Sequence, residues 1–312
     1  MFTFKRGRAA AGVVALGLVA SLAACSTGDP LDSGDSESGA PDDVKALTIG
    51  SQGFAESDIL AQIYGQVLAA NGYDIDYAEG IGSRETFIPA LQDGSIDLIP
   101  DYAGNLLYGA DSEATATSLD DIVAALPAAL EALDLVALEP AEATDSDALV
   151  VTPEFADANG LETIGDLAAI SASVTLGANT EFEGRWRDGL ASTYGFEGFQ
   201  FKAIDDYGGP GTLSDLLANN IQVADIYTTT PSIKQNNLVV LKDDKNLFAA
   251  QNIVPVLNAA FASDDLAELL NAVSAELTTD DLLTLNEESA SDAKPSAADV
   301  AKAWLTEHGF LD

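Results

Sequence analysis

The strongest constraint in this sequence is an alternation of short apolar runs with stretches of helical period between Leu47 and Tyr108. Residues 46–50 read as a short strand, and Ser51-Gln52-Gly53-Phe54 as the turn after it. Ile59, Leu60, Ile63, Val67 and Leu68 then fall on one face of a helix, with Glu56 and Asp58 in its first turn, where acids suit the helix dipole. Asn71-Gly72 stops that helix. A second strand over 73–78, a turn at Gly80-Ile81-Gly82-Ser83, a helix carrying Phe87, Ile88 and Leu91, and a third strand over 96–100 complete a β-α-β-α-β unit. Such a unit makes a parallel sheet with right-handed crossovers. Its last strand stops at Pro100, which leaves the ring of Tyr102 and the amide of Asn105 at the strand's carboxyl end. In open α/β sheets that end forms the wall of a ligand crevice. Gly80-x-Gly82 lacks the third glycine and the later acid of a dinucleotide fingerprint, which argues against nucleotide binding.

The alternation resumes further along. A helix over 119–133 precedes a strand at 148–151, and helical stretches at 161–167, 184–194 and 213–219 interleave with strands at 174–177, 199–203, 223–227 and 238–241. Three helices, at 264–277, 279–285 and 297–308, close the chain. The 312 residues suffice for two α/β lobes of ordinary size. The expected fold class is therefore α/β, with two lobes around a cleft. Residues 45–145 plus 250–312 would form lobe 1, and 146–249 would form lobe 2, inserted in the first. The chain would cross between them near 143–147 and near 228–250.

Charge and composition narrow the function. Lys+Arg number 13 against 51 Asp+Glu, for a formal net charge of −38. A nucleic-acid binder needs a basic stripe, so nucleic acid is excluded as a general partner. An acidic surface suits a salty exterior and attracts cations. His308 is the only histidine and falls in a terminal helix, so a histidine triad or metal cluster finds no support. The carboxylate pairs Asp205/Asp206 and Asp243/Asp244 read as solvated turns. No enzymatic activity, metal or cofactor is expected.

At the amino end Lys5, Arg6 and Arg8 precede an apolar run over 9–20 and then Leu22-Ala23-Ala24-Cys25. Residues 1–24 read as an export signal rather than a membrane span, the run being short and rich in Ala and Gly. The single cysteine stands where the lipobox of bacterial lipoproteins places one. That resemblance implies a lipid on Cys25, which anchors the mature protein at the extracytoplasmic face of the cell membrane. Residues 25–44 read as a disordered acidic linker, expected to bury too little apolar surface to offset ordering entropy.

Gly50-Ser51-Gln52-x-Phe54-x-Glu56-Ser57-x-Ile59-Leu60 resembles the opening of the osmoprotectant-binding proteins of ABC importers, the OpuAC-type substrate-binding domain. Further matches are Asn71-Gly72-Tyr73, Ala90-Leu91-x-x-Gly94-x-Ile96-Asp97-Leu98-x-Pro100-x-Tyr102-x-Gly104, Glu181-Phe182-x-x-Arg185 and Leu241-Lys242-Asp243-Asp244-Lys245. The resemblance spans roughly residues 46–310. It implies a type II periplasmic-binding-protein fold with hinge closure. It also implies a quaternary-ammonium ligand of the glycine betaine, choline or carnitine type, delivery to ABC permease subunits, and a monomer.

Such a ligand has no N–H to donate, and ring faces hold it by cation–π attraction of roughly 0.5–2 kcal/mol per ring. Within the resemblance, Tyr102 and Tyr227 match cleft tyrosines, and Tyr207, beside Gly208-Gly209-Pro210-Gly211, matches loosely. Arg185 is the expected clamp for a ligand carboxylate, and Gln52 and Asn105 stand where the family places polar contacts. One departure stands out. Where family members often have a tyrosine opening the second lobe, this chain has Asp147, whose carboxylate holds a trimethylammonium by charge, or suits a different cation or a ligand with N–H donors. A binding protein of the same fold for another small polar solute, and a sensor or adhesion lipoprotein, remain as alternatives.

Overall fold

A computed structural model of the protein describes residues 45–311. The export signal, Cys25 and the acidic linker therefore lie outside the described residues. Among those residues ten strands fall in two five-stranded sheets.

The first sheet contains β1 (Ala46–Gly50), β2 (Asp74–Ala78), β3 (Leu98–Tyr102), β4 (Leu135–Ala137) and, from far along the chain, β10 (Ile253–Asn258), in the order β2-β1-β3-β10-β4. Helices α1 (Ala55–Ala70) and α2 (Arg84–Gln92) make the two crossovers, and β1 runs parallel to β2 and to β3, as the alternation requires. After β3 come α3 (Ala103–Ala110) and α4 (Leu119–Glu131). The second sheet contains β5 (Leu149–Val151), β6 (Thr175–Ala178), β7 (Gln200–Ala203), β8 (Val223–Asp225) and β9 (Val239–Val240), in the order β7-β6-β8-β5-β9. Its helices are α5 (Pro153–Asn159), α6 (Ile164–Ala168), α7 (Thr180–Gly189), α8 (Pro210–Leu217) and α9 (Ser232–Gln235). Helices α10 (Asp264–Glu276), α11 (Thr279–Ser289) and α12 (Ala297–Glu307) follow β10.

Both sheets thus share one layout: three parallel strands, then an antiparallel strand, then a short edge. The antiparallel members β10 and β5 were not legible as such. Both are buried on both faces, so they read as continuous apolar runs whose direction local pattern leaves open. Helix α7 begins four residues earlier than the apolar period suggests, because Asn179 caps it by accepting the Phe182 amide. Past Gly189 it continues into a π-helical turn over Leu190–Tyr194.

Each face of the first sheet carries its own core. Ile49, Ile63 and Leu68 pack with Leu270, Val273 and Trp304 on one side; Phe87, Leu91 and Leu106 pack with Ile122 and Val254 on the other. Pro100 lies opposite Pro255 in the β3–β10 pair, and Ile49–Leu98 is the only paired position between β1 and β3. A proline has no N–H to extend that ladder. The β1 and β3 ends therefore separate, and their loops turn into the space between the lobes.

The chain passes between the sheets twice, at 138–148 and at 241–252. The two passages run side by side: Thr144 pairs antiparallel with Asn252, and the Asp145 amide donates to the Gln251 carbonyl at 3.2 Å. On its other side the first passage meets the segment after β8, where the Thr228 amide donates to Ser146 at 3.0 Å. The second passage also receives the start of α3, since the Ala103 and Gly104 amides donate to the Asn252 and Ala250 carbonyls. A Cβ at Gly104 would stand 2.8 Å from the Ala250 oxygen and 2.9 Å from the Ala249 Cβ. Gly104→Ala must push the passage off the helix, at a cost of about 1–3 kcal/mol. Thermal denaturation should show a melting temperature several degrees lower; an unchanged one would mean that the passage yields freely.

Candidate ligand-binding site

A cavity of about 500 Å³ opens between the lobes, and Gln52, Tyr102, Asn105, Asp147, Arg185, Tyr207 and Tyr227 all line it. The structure thus brings together seven residues that are up to 175 positions apart. Phe54, Arg84, Asp145 and Gln251 complete the lining. Sequence reasoning did not single out these four. Asp145 carried a usable signal, because in the extended Asp145-Ser146-Asp147 both acids point to the same side. Phe54 lay in a motif already quoted. Arg84 and Gln251 reach the cavity only through long-range packing, for which the sequence holds no local sign.

The rings are held from behind. The Tyr102 hydroxyl donates to the Glu56 carboxylate at 2.7 Å, whose other oxygen accepts from the Asn286 amide at 2.6 Å. Glu56, in the first turn of α1 as expected, is also a buried support for a cavity ring. Burial above all, then the nearby Glu56 and Asp145, raise the Tyr102 phenol well above its usual range. Burial, then Asp147 and Asp225, raise the Tyr227 phenol likewise. Both rings therefore stay neutral. Phe54 stacks on Tyr102 with centroids 6.2 Å apart and keeps 43% of its surface exposed. Tyr207 is 55% exposed and has φ +54°, a left-handed backbone that an aromatic residue rarely adopts. Two neighbours hold it there. The Asp206 carboxylate accepts the Gly211 and Thr212 amides at the start of α8, and Gly208 lies so close to β8 that a Cβ there would stand 2.9 Å from the Ile226 Cα. The pairs Asp205/Asp206 and Asp243/Asp244 are thus turn acids with a structural use. Asp205 accepts the Thr180 amide, and Asp243 accepts those of Leu247 and Phe248.

The charges form a second group. Arg84 grips the fully buried Asp101 through Nε, at 3.1 Å, and Nη2, and Gln52 Nε2 donates to the same carboxylate at 2.8 Å. Arg185 Nη1 stands 3.6 Å from Asp147 Oδ2, which also accepts the Trp186 indole N–H at 3.2 Å. Burial raises the Asp147 carboxyl, and Arg185 and Trp186 oppose the rise. Burial first, and the neighbouring Glu56 next, push the Asp145 carboxyl up to about 8, against a 3.3 Å bond from the Thr229 amide. Behind them Asp225 is buried with Oδ1 unpartnered, and burial and Asp147 raise its carboxyl well above the usual range. Among the described residues no cluster of His, Cys, Asp and Glu could hold a metal ion, and no helix is long and apolar enough to cross a membrane.

Residues 45–307 match the substrate-binding domain of ABC-type glycine betaine transport systems, OpuAC. The chain belongs to this family. Among the relatives of this OpuAC domain is a glycine-betaine-binding protein of Pseudomonas aeruginosa, 30% identical over 285 residues that cover 86% of this chain and 89% of the relative. A carnitine transport binding protein of Listeria monocytogenes is 22% identical over 276 residues, 85% of this chain and 88% of the relative. A solved glycine betaine/carnitine/choline ABC transporter protein superposes with a TM-score of 0.77 at 24% identity, over 86% of this chain and all of the other. The lactococcal OpuAC in its closed form with glycine betaine gives 0.59 at 12%, over 85% and 96%. These likenesses establish the type II periplasmic-binding-protein fold, and the family is one of transport binding proteins.

Two outcomes are expected from this geometry. Asn tolerates the left-handed region that Tyr207 occupies, so Tyr207→Asn should melt within a few degrees of the parent while ligand affinity falls several-fold; a large drop in melting temperature would show that the ring holds the loop. For Asp145 the folded-state carboxyl, at about 8, lies above its unfolded value of about 3.9. The folded protein therefore binds the extra proton between those values, and stability falls as pH rises through that window. Urea unfolding at pH 5, 6.5 and 8 should show the parent losing stability relative to Asp145→Asn. A constant difference between the two would contradict the raised carboxyl.

Proposed function

We propose that the protein is the extracytoplasmic solute-binding component of an ABC importer. In this reading a lipid on Cys25 holds it at the membrane, and it captures a quaternary-ammonium osmolyte for the permease. The observation that carries the reading is the lining itself: Phe54, Tyr102, Tyr207 and Tyr227 with Asp145 and Asp147 beside them, and no lysine. A quaternary ammonium cannot donate a hydrogen bond. It is held by ring faces and by negative charge; neutral phenols offer the first, and the second comes from buried carboxyl groups whose ionised form a bound cation favours. Asp145, Tyr102 and Tyr227 line the same cavity, which sets one carboxyl group among the rings. Cation–π attraction of roughly 0.5–2 kcal/mol per ring supplies part of the about 8 kcal/mol that micromolar binding needs, and burial and lobe closure supply the rest. Gln52 and Asn105 make the polar end of the cavity, and a ligand carboxylate, where there is one, meets Arg185.

Titration calorimetry with choline, glycine betaine and carnitine, and with L-proline as a secondary-amine control, tests the class. Micromolar binding of a quaternary ammonium is expected, weakened at least tenfold by Tyr102→Ala. Absence of heat with all three quaternary compounds would remove the ligand class and leave only the fold.

A further inference from the structure

The two cations that line the cavity, and that could receive a ligand's carboxylate, each stand against a carboxylate of the chain itself. Arg84 is taken by the buried Asp101 in a two-point grip. Arg185, whose side chain is 42% exposed and so remains reachable, stands against Asp147, itself only 8% exposed. Helix amino termini are ready anion sites, and those of α3, α7 and α8 are capped from within the chain. The first amides of α3 go to the Asn252 and Ala250 carbonyls, and that of Asn105 goes to Gln251 Oε1 at 3.1 Å. At α7 the Thr180 amide goes to Asp205 and the Phe182 amide to Asn179. At α8 the Gly211 and Thr212 amides go to Asp206. Acidic groups, by contrast, are in surplus. Asp145 takes one amide at 3.3 Å, and Asp225 keeps one oxygen unpartnered behind Asp147.

Resting on the quaternary-ammonium reading above, we propose that Asp147 sets the charge class of the ligand. By holding Arg185 it selects a quaternary-ammonium monocation, an ammonium alcohol of the choline kind, over a zwitterion that carries its own carboxylate. A zwitterion docking on Arg185 brings a second carboxylate beside Asp147, at a place where water screens the repulsion poorly. A monocation brings no such charge, gains from Asp147, and favours the ionised form of Asp145. The selection works by repulsion of the wrong ligand as much as by attraction of the right one.

Calorimetric titration of the full chain with choline and with glycine betaine tests this, on the parent, Asp147→Asn and Arg185→Gln. The asparagine keeps an acceptor for the Trp186 indole and removes only the charge. The parent should bind choline at least tenfold more tightly than betaine. Asp147→Asn should shrink that preference at least tenfold, with betaine gaining in absolute affinity. Arg185→Gln should strengthen choline several-fold, by releasing Asp147 to the ligand. It also reads the same pairing from the other side if the Asp147 variant folds poorly. Betaine bound as tightly as choline by the parent would overturn the proposal while the ligand class stands. A loss of both ligands on Arg185→Gln would overturn it too. Failure of the parent to bind either ligand would overturn the proposal together with the reading on which it rests.

Discussion

A single buried carboxylate fixes where the cavity lies. Asp101, at the end of β3, has no exposed surface, and its charge is met by the Arg84 fork and the Gln52 amide. Gln52 belongs to the loop after β1 and Arg84 to the start of α2, so one side chain ties three chain segments to the carboxyl edge of the first sheet. Breaking such a pair by removing one partner leaves an uncompensated buried charge, which typically costs about 3–5 kcal/mol. Pro100, next to it, withholds the amide that would carry the β1–β3 ladder further. The wall of the cavity is therefore a place where the sheet stops pairing through its backbone and is held through side chains instead. Tyr102 follows directly and inherits its position from that arrangement.

Much of this was legible in the residues. The first three strands and their crossovers follow from period and punctuation, although β3 runs through Pro100 to Tyr102 instead of stopping at the proline, and that tyrosine and the arginine of α7 follow from motif. Their convergence on one cavity does not follow from either. It depends on how the two passages and the segment after β8 lie against one another, and those contacts join residues 144, 228 and 252. Asp145 and Gln251 stand on the passages, so their role appears only once the three segments are assembled. Glu56 shows the same limit differently. By sequence it is an acid in a first turn, and only the return of α11 with Asn286 makes it a buried link between a cavity ring and the Thr229 carbonyl.

The electrostatics of the site differ in kind from those of the surface. A formal charge of −38 spread over solvent is screened within a Debye length and says little about a particular ligand. The cavity acids are few, but burial holds Asp145, Asp147 and Asp225 close to one another and raises all three. A cation entering there would favour the ionised forms that burial disfavours, so the affinity of the site is tied to protons that its own carboxyl groups give up.

The position of β10 has a consequence for how the molecule is made. That strand lies between β3 and β4, yet it arrives only after the whole of the second sheet, which is continuous in sequence from β5 to β9. Its alternate side chains serve both cores of the first lobe, Ile253 and Leu257 on one face and Val254 and Val256 on the other. A chain emerging amino end first can complete its second lobe while the first still has an open edge along β3. Closing that edge requires a contact between residues about 150 positions apart, and contacts of that separation form slowly. Until then the apolar β3 presents unpaired backbone, a template for wrong partners. The last fifth of the chain thus acts as the fastening of the first lobe, and a nascent protein cut short before Ile253 would be left with half of its cleft unfinished.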